Sequence, residues 1–222
     1  MSALRRQAFQ QVVDGATVDL FRLVNARGTE VGITNLGAKI QQILLPDRHG
    51  TVQDVVLGYD TIDAVIDGHP SMNAFIGRYA NRIGGARFTL DATTYQLGAN
   101  SGRNTLHGGI RGSRHQVFEA RQLSPRAVEM RYVFGDGEEG FPGTLPVRIV
   151  YALDDDDALT LQWSATARDK ATVASFTGHA FFNLTGDPRT SVEGHSLTLD
   201  ADRFLPIDGE SLPTGEWRHV AG

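Results

Sequence analysis

From Val128 to Ala165 apolar side chains recur at every second position, which is the geometry of strands with one covered face. Val128, Met130, Tyr132 and Phe134 form the first set, separated by Glu129, Arg131 and Val133. Val147, Ile149, Tyr151 and Leu153 repeat it, and Leu159, Leu161, Trp163 and Ala165 repeat it again. A helix needs its apolar positions three and four apart, so these runs cannot bury a helical stripe. Asp154 to Asp157 stand between the last two sets and read as a charged, solvated hairpin tip. Their spacing lacks the alternate ligands and the glycine of a calcium loop.

Further strands are expected at Val18 to Val24, Glu30 to Thr34, Lys39 to Leu45 and Thr51 to Leu57. Arg87 to Leu90 and Thr94 to Leu97 flank a turn at Asp91-Ala92-Thr93, and only Thr61 to Ile66 reads as briefly helical. The 25 glycines and 8 prolines punctuate these runs and do not gather into a linker. Many short strands without long helices cannot build a parallel βαβ sheet. The expectation is therefore all-β: one large antiparallel β-sandwich domain over residues 1–222.

Bulk properties narrow the function classes. Hydrophobic residues make up 41% and charged residues 21%, which separates the chain from disordered sequences. The net charge is −5 with no basic run, so the sequence offers no footprint for nucleic acid or for an anionic membrane. With no cysteine, thiolate chemistry and disulfides are excluded. No window has the length of a membrane span, and no signal-peptide core follows the two N-terminal arginines. The default expectation is a cytoplasmic location.

Several motifs fail on inspection. Gly135 to Gly140 matches G-x-G-x-x-G, but Asp136, Glu138 and Glu139 would repel a pyrophosphate and no helical pattern follows. His107-Gly108-Gly109 resembles an esterase oxyanion loop without the G-x-S-x-G elbow that chemistry needs. The seven histidines never take a zinc spacing, so a metal site is not expected.

What survives is a set of polar groups around the probable hairpin. Asn81 and Arg82 precede it and His107 follows it, flanked by glycines that let the backbone approach a ligand. His179 precedes Phe181, Phe182 and Leu184 on a strand-like run and has an aromatic side to its surroundings. Two histidines, an arginine and an asparagine can donate and accept hydrogen bonds to a polyol, and a histidine can exchange protons near neutral pH. On these residues alone the reading is a sugar-like ligand with acid–base chemistry; each of them equally suits a structural role.

Six segments extend the reading: Asn35-Leu36-Gly37-Ala38, Gly77 to Ile83, Asn104 to Gly109, Asp136 to Gly143, His179 to Leu184, and Ala201 to Pro206. In this order they resemble the galactose mutarotase (aldose 1-epimerase) family, from near Gln10 to the end of the chain. The resemblance implies a large antiparallel supersandwich and cofactor-free interconversion of the α and β anomers of aldohexoses such as galactose or glucose. It implies that a carboxylate takes the proton of the C1 hydroxyl while a histidine protonates the ring oxygen. On this resemblance His179 matches the acid, His107 the histidine that binds and polarises the sugar, and Asn81 and Arg82 the residues that hydrogen-bond its hydroxyls. Glu138 and Glu139 fall in a turn that the resemblance makes structural.

The match also has gaps. The family's base, a glutamate, and a substrate-binding aspartate belong to a segment beyond Gly222. The sandwich is expected to be C-terminally incomplete, a fragment ahead of a chain completed by a second polypeptide or a degenerate member. Exposed strand edges would then invite self-association, and the chain as written is expected to show little or no epimerase activity. Gly178, Ala180 and Phe181 stand where the family commonly has polar groups. Two alternatives are a noncatalytic sugar-binding or sensor protein and a hexose-phosphate 1-epimerase, for which Arg78, Arg87 and Arg103 are candidate phosphate ligands.

Overall fold

The structure, a computed structural model, describes residues 2–220. A short hairpin, β1 (Gln11–Val13) and β2 (Ala16–Val18), leads into a four-stranded antiparallel sheet. That sheet is built in sequence order from β3 (Leu20–Val24), β4 (Glu30–Thr34), β5 (Lys39–Pro46) and β6 (Val52–Asp54). Helix α1 (Ile62–Asp67) follows, capped by Thr61, whose hydroxyl accepts from the Ala64 N–H at 3.2 Å. A loop-rich stretch carries β7 (Phe75–Ile76), β8 (Arg82–Ile83), the hairpin β9 (Arg87–Leu90) and β10 (Thr93–Gln96), and β11 (Thr105–Leu106). The second four-stranded antiparallel sheet is β12 (Glu119–Ser124), β13 (Ala127–Phe134), β14 (Leu145–Leu153) and β15 (Leu159–Ala165). Then β16 (Thr177–Gly178) returns to pair with β7.

The two sheets close on one core. Leu23, Val31 and Ile33 of the first sheet meet Val128, Met130, Ile149, Tyr151 and Leu153 of the second, with Phe75 and Phe118 between them. These are the alternating sets of the sequence, and burial follows the period: β14 is covered at Leu145, Val147, Ile149, Tyr151 and Leu153. The Tyr151 hydroxyl, buried in that core, donates to the Ala38 carbonyl at 2.8 Å and so satisfies its one polar atom. The all-β, antiparallel sandwich is the observed architecture.

Several boundaries differ from expectation, each for a local reason. The run from Val18 to Val24 divides at Asp19, whose carboxylate takes the Leu20 N–H and pairs with Arg6 while its own N–H goes to Asn35. The strand expected at Thr51 to Leu57 shortens to Val52–Asp54 because the Asp54 carboxylate accepts from both the Ile43 and Val56 amides, replacing the ladder. The hairpin turn contracts to Asp91 and Ala92, both at positive φ (48° and 62°), the conformation a tight two-residue turn requires. The run from His179 to Leu184 is not a strand: β16 ends at Gly178, and the run keeps one isolated bridge, from Phe182 to Val56. The aspartate tip is more than a solvated turn. Asp157 accepts from Asn25 and Thr29 and Asp155 from the Ala26 amide, tying the β14–β15 turn to the β3–β4 turn.

Candidate active site

His107 and His179, distant in sequence, lie with ring centroids 5.1 Å apart and planes at 89°. They share a pocket of about 410 Å3 whose wall also includes His69, Asn100, Arg114 and Phe181. That volume lies within the ~300–1,000 Å3 range of small-molecule sites. Among the described residues no carboxylate is part of this wall.

The His107 loop is held from three directions. Its backbone N–H donates to the Asn81 carbonyl at 2.9 Å, and the Asn81 N–H returns to His107 Nδ1 at 3.1 Å. Arg114 donates to the His107 carbonyl at 2.6 Å and to Gly109 at 2.8 Å. Asn100 bridges Leu106 and Gly109 through both its amide nitrogen and its oxygen. His107 itself has φ 54°, and Gly108 has φ 80° with its Cα so close to β7 that a Cβ would stand 2.0 Å from the Gly77 carbonyl oxygen. Only glycine fits there.

This arrangement fixes the chemistry of His107. Nδ1 accepts a hydrogen bond, so the neutral ring carries its proton on Nε2. Burial, then the nearby His179, Arg114, Arg82 and His69, push its pKa down to about 4. At neutral pH His107 is an uncharged donor through Nε2–H and not a proton source.

His179 is positioned by its backbone. Its N–H donates to the Ala74 carbonyl at 3.0 Å, and its carbonyl accepts from the Asn73 N–H at 3.0 Å. Asn73, in a left-handed conformation at φ 58°, also accepts from the Phe181 N–H at 2.8 Å and donates to Leu57. The Phe181 ring stacks on His179 at 5.3 Å and 22°. The imidazole is therefore oriented by stacking and by its perpendicular neighbour. It makes no side-chain hydrogen bond to another described residue, which leaves both ring nitrogens to a ligand.

The structure brings the four expected residues together: the His107 and His179 rings meet edge to face, the Asn81 backbone N–H bonds and holds His107, and Arg82 donates to the Asn81 side chain at 3.2 Å. Sequence reasoning missed Asn73, Asn100, Arg114 and His69. Arg114 sits in Arg111-Gly112-Ser113-Arg114-His115, a stretch with nothing in its spacing to mark a buried arginine.

The acidic turn is structural. Glu139 accepts from the Ile110 and Arg111 amides at 2.7 and 3.1 Å and so clamps the far end of the His107 loop. Glu138 accepts from Gly135 N–H and the Tyr132 hydroxyl, and Asp136 from Gly143 N–H and Lys170. Arg78 is 1% exposed and donates to the carbonyls of Pro142, Gly143 and Gly135, closing that turn from beneath. It is not available to a phosphate. Arg103 pairs with Glu210, and Arg87 is exposed on β9, so none of the three arginines faces the histidine pocket.

Comparison with known proteins agrees with this geometry. The family described as Aldose 1-epimerase matches residues 19–222. The chain is 39% identical to galactose mutarotase of Sus scrofa over 223 residues, covering 100% of this chain and 64% of that protein. It is 34% identical to aldose 1-epimerase of Escherichia coli over 209 residues, covering 94% and 60%. Among solved structures, the GalM/aldose epimerase homologue from C. elegans superposes with a TM-score of 0.86 at 30% identity, over 91% of this chain and 62% of that one. Galactose 1-epimerase from Lactobacillus acidophilus gives 0.82 at 26% identity, over 96% and 61%. The chain spans less than two thirds of the length of the relatives it matches. It belongs to the aldose 1-epimerase family.

Proposed function

We propose that the protein is an aldose 1-epimerase that interconverts the α and β anomers of an aldohexose such as galactose or glucose. The observation that carries this reading is the perpendicular His107–His179 pair, with one ring held neutral as a donor and the other unengaged. In the forward direction the C1 hydroxyl gives its proton to a base while His179 gives one to the ring oxygen. The C1–O5 bond breaks, C1 becomes an aldehyde, and rotation about C1–C2 followed by the reverse transfers yields the other anomer. No net proton is consumed and no redox change occurs, so the cycle closes on the substrate alone. His107, through Nε2–H, binds and polarises a sugar oxygen, and the side chains of Asn81 and Arg82 hydrogen-bond the sugar hydroxyls. The base is assigned to the part of the family's length that this chain does not span, because Glu138 and Glu139 are engaged with backbone amides.

The test is the optical rotation of freshly dissolved α-D-galactose with and without a form of the protein that spans the family's full length. Faster approach to equilibrium than in buffer supports the reading. A second reading, a sugar sensor, is favoured by one observation: no described carboxylate lines the pocket. Galactose binding with unchanged rotation kinetics would select it. The proposal includes a cytoplasmic location, checked by cell fractionation. It also includes self-association through the outer strand β15, where Trp163 is exposed, checked by sedimentation velocity.

A further inference from the structure

A second cavity, of about 230 Å3, shares Pro70 and Arg114 with the histidine pocket. It falls below the ~300–1,000 Å3 usual for small-molecule sites, so it suits an ion and not a hexose. Lys39 enters it from the start of β5 and is only 3% exposed. Its stem crosses Gly37, where a Cβ would lie 2.8 Å from Lys39 Cε. Among the described residues the Lys39 ammonium has no hydrogen-bond or carboxylate partner, and the charge acting on it is that of Arg114. Arg114 is 7% exposed; its Nη atoms serve loop carbonyls, but its Nε is buried with no partner among the described residues.

The other charged and titratable groups facing this space do not resolve the imbalance. Asp14 is paired with Arg111 on the exposed side. Glu139 acts on Arg114 from a distance but is engaged by the Ile110 and Arg111 amides. Burial and the surrounding cations push His115 down to about 4, so it is neutral near pH 7. Burial, then Arg114, bring Lys39 down to about 8, so it remains largely charged there. Glu139 offsets Arg114 only in part and no carboxylate acts on Lys39, so an anion between these two buried cations lowers the cost of keeping both charged.

We propose that this cavity binds a small oxyanion of the phosphate type, gripped by the Lys39 ammonium, with the Arg114 guanidinium beside it and Arg111 at its edge. The site shares Pro70 and Arg114 with the histidine pocket, and Lys39 and Arg111 are residues that the epimerase reading does not use.

The experiment is calorimetric titration of the full chain with inorganic phosphate, chloride-balanced, alone and in the presence of galactose. One saturable phosphate site is expected, with a Kd of about 1 mM or tighter. Lys39→Met, which keeps an unbranched apolar stem, should weaken it at least tenfold, and Arg111→Gln should weaken it by a smaller factor. Raising the pH from 7 to 9 should weaken binding by roughly tenfold as Lys39 loses its proton. Absence of phosphate binding to the wild type, or unchanged binding in a folded Lys39→Met, overturns the assignment. If that variant does not fold, loss of the pH dependence above 8 in the wild type overturns it equally. Mutual exclusion of phosphate and galactose would place the anion in the histidine pocket and also overturn it.

Discussion

If Glu139 is a clamp, replacing it should lower stability before it touches chemistry. Its two oxygens accept from the Ile110 and Arg111 amides, and its carboxylate fills the space beside Gly109, where a Cβ would come within 2.3 Å of Oε2. Hydrogen bonds to a charged group contribute roughly 1.5–3 kcal/mol each when buried. Both of these are open to solvent, and water replaces part of what is lost. Glu139→Ala should therefore destabilise by about 2 kcal/mol in total. With a urea dependence of about 2–3 kcal/mol/M for a chain of this size, the midpoint falls by ~1 M. Glu139→Gln retains one acceptor but sets an amide NH2 against the second donor, so it should lose about half as much. Urea unfolding followed by tryptophan fluorescence measures both. The reasoning is refuted if Glu139→Gln is as stable as wild type while anomer exchange in the full chain falls a hundredfold. That result would make the carboxylate a proton acceptor and not a brace.

Four further outcomes follow from the same contacts. Gly108→Ala forces a side chain into φ 80° and against the Gly77 carbonyl, so the His107 loop must move; a shift of about 1 Å should lower exchange ~100-fold, measured by polarimetry. Asn73→Ala removes the Phe181 and Leu57 bonds beside His179 and should destabilise by about 2–4 kcal/mol, read by urea unfolding. Arg78→Met leaves the Pro142 and Gly143 carbonyls unpaired and removes one of two donors to Gly135, so it should lower the thermal midpoint more than either Glu138 or Asp136 substitutions do. His107 and His115 are both held near 4 against an ordinary value of 6.5, so the unfolded chain binds more protons between those values. Stability from these groups is complete above about pH 6.5 and is lost as pH falls towards 4, and a flat thermal midpoint across that window would contradict the burial argument.

The sandwich was legible because its central strands carry one-sided apolar sets, and a set such as Val147, Ile149, Tyr151 and Leu153 can be covered in only one way. Strand β12 was not legible: Glu119 to Ser124 is almost wholly exposed, and only pairing with β13 makes it a strand. The stretch after His179 looked like a strand yet is held by Asn73 side-chain bonds that no spacing rule anticipates. For the site, His107 and His179 were found through motif order, since nothing in sequence separation says that their rings meet at 5.1 Å. The backbone bond from Asn81 to the His107 ring was equally out of reach, because it exists only once β8 and β11 have paired. Arg114 and Asn100 act through loop carbonyls whose directions exist only once the loop has closed.

The central claim is a division of labour in which His179 moves the proton and His107 binds. It is tested most directly by NMR exchange spectroscopy on the anomeric signals of galactose, using a form that spans the family's full length and its His179→Ala and His107→Ala variants. A positioned general acid contributes roughly 10²–10⁴-fold, so His179→Ala should lower kcat by that factor with little change in KM. His107→Ala should act mainly by raising KM. Wild-type exchange rates in a folded His179→Ala protein would contradict the account.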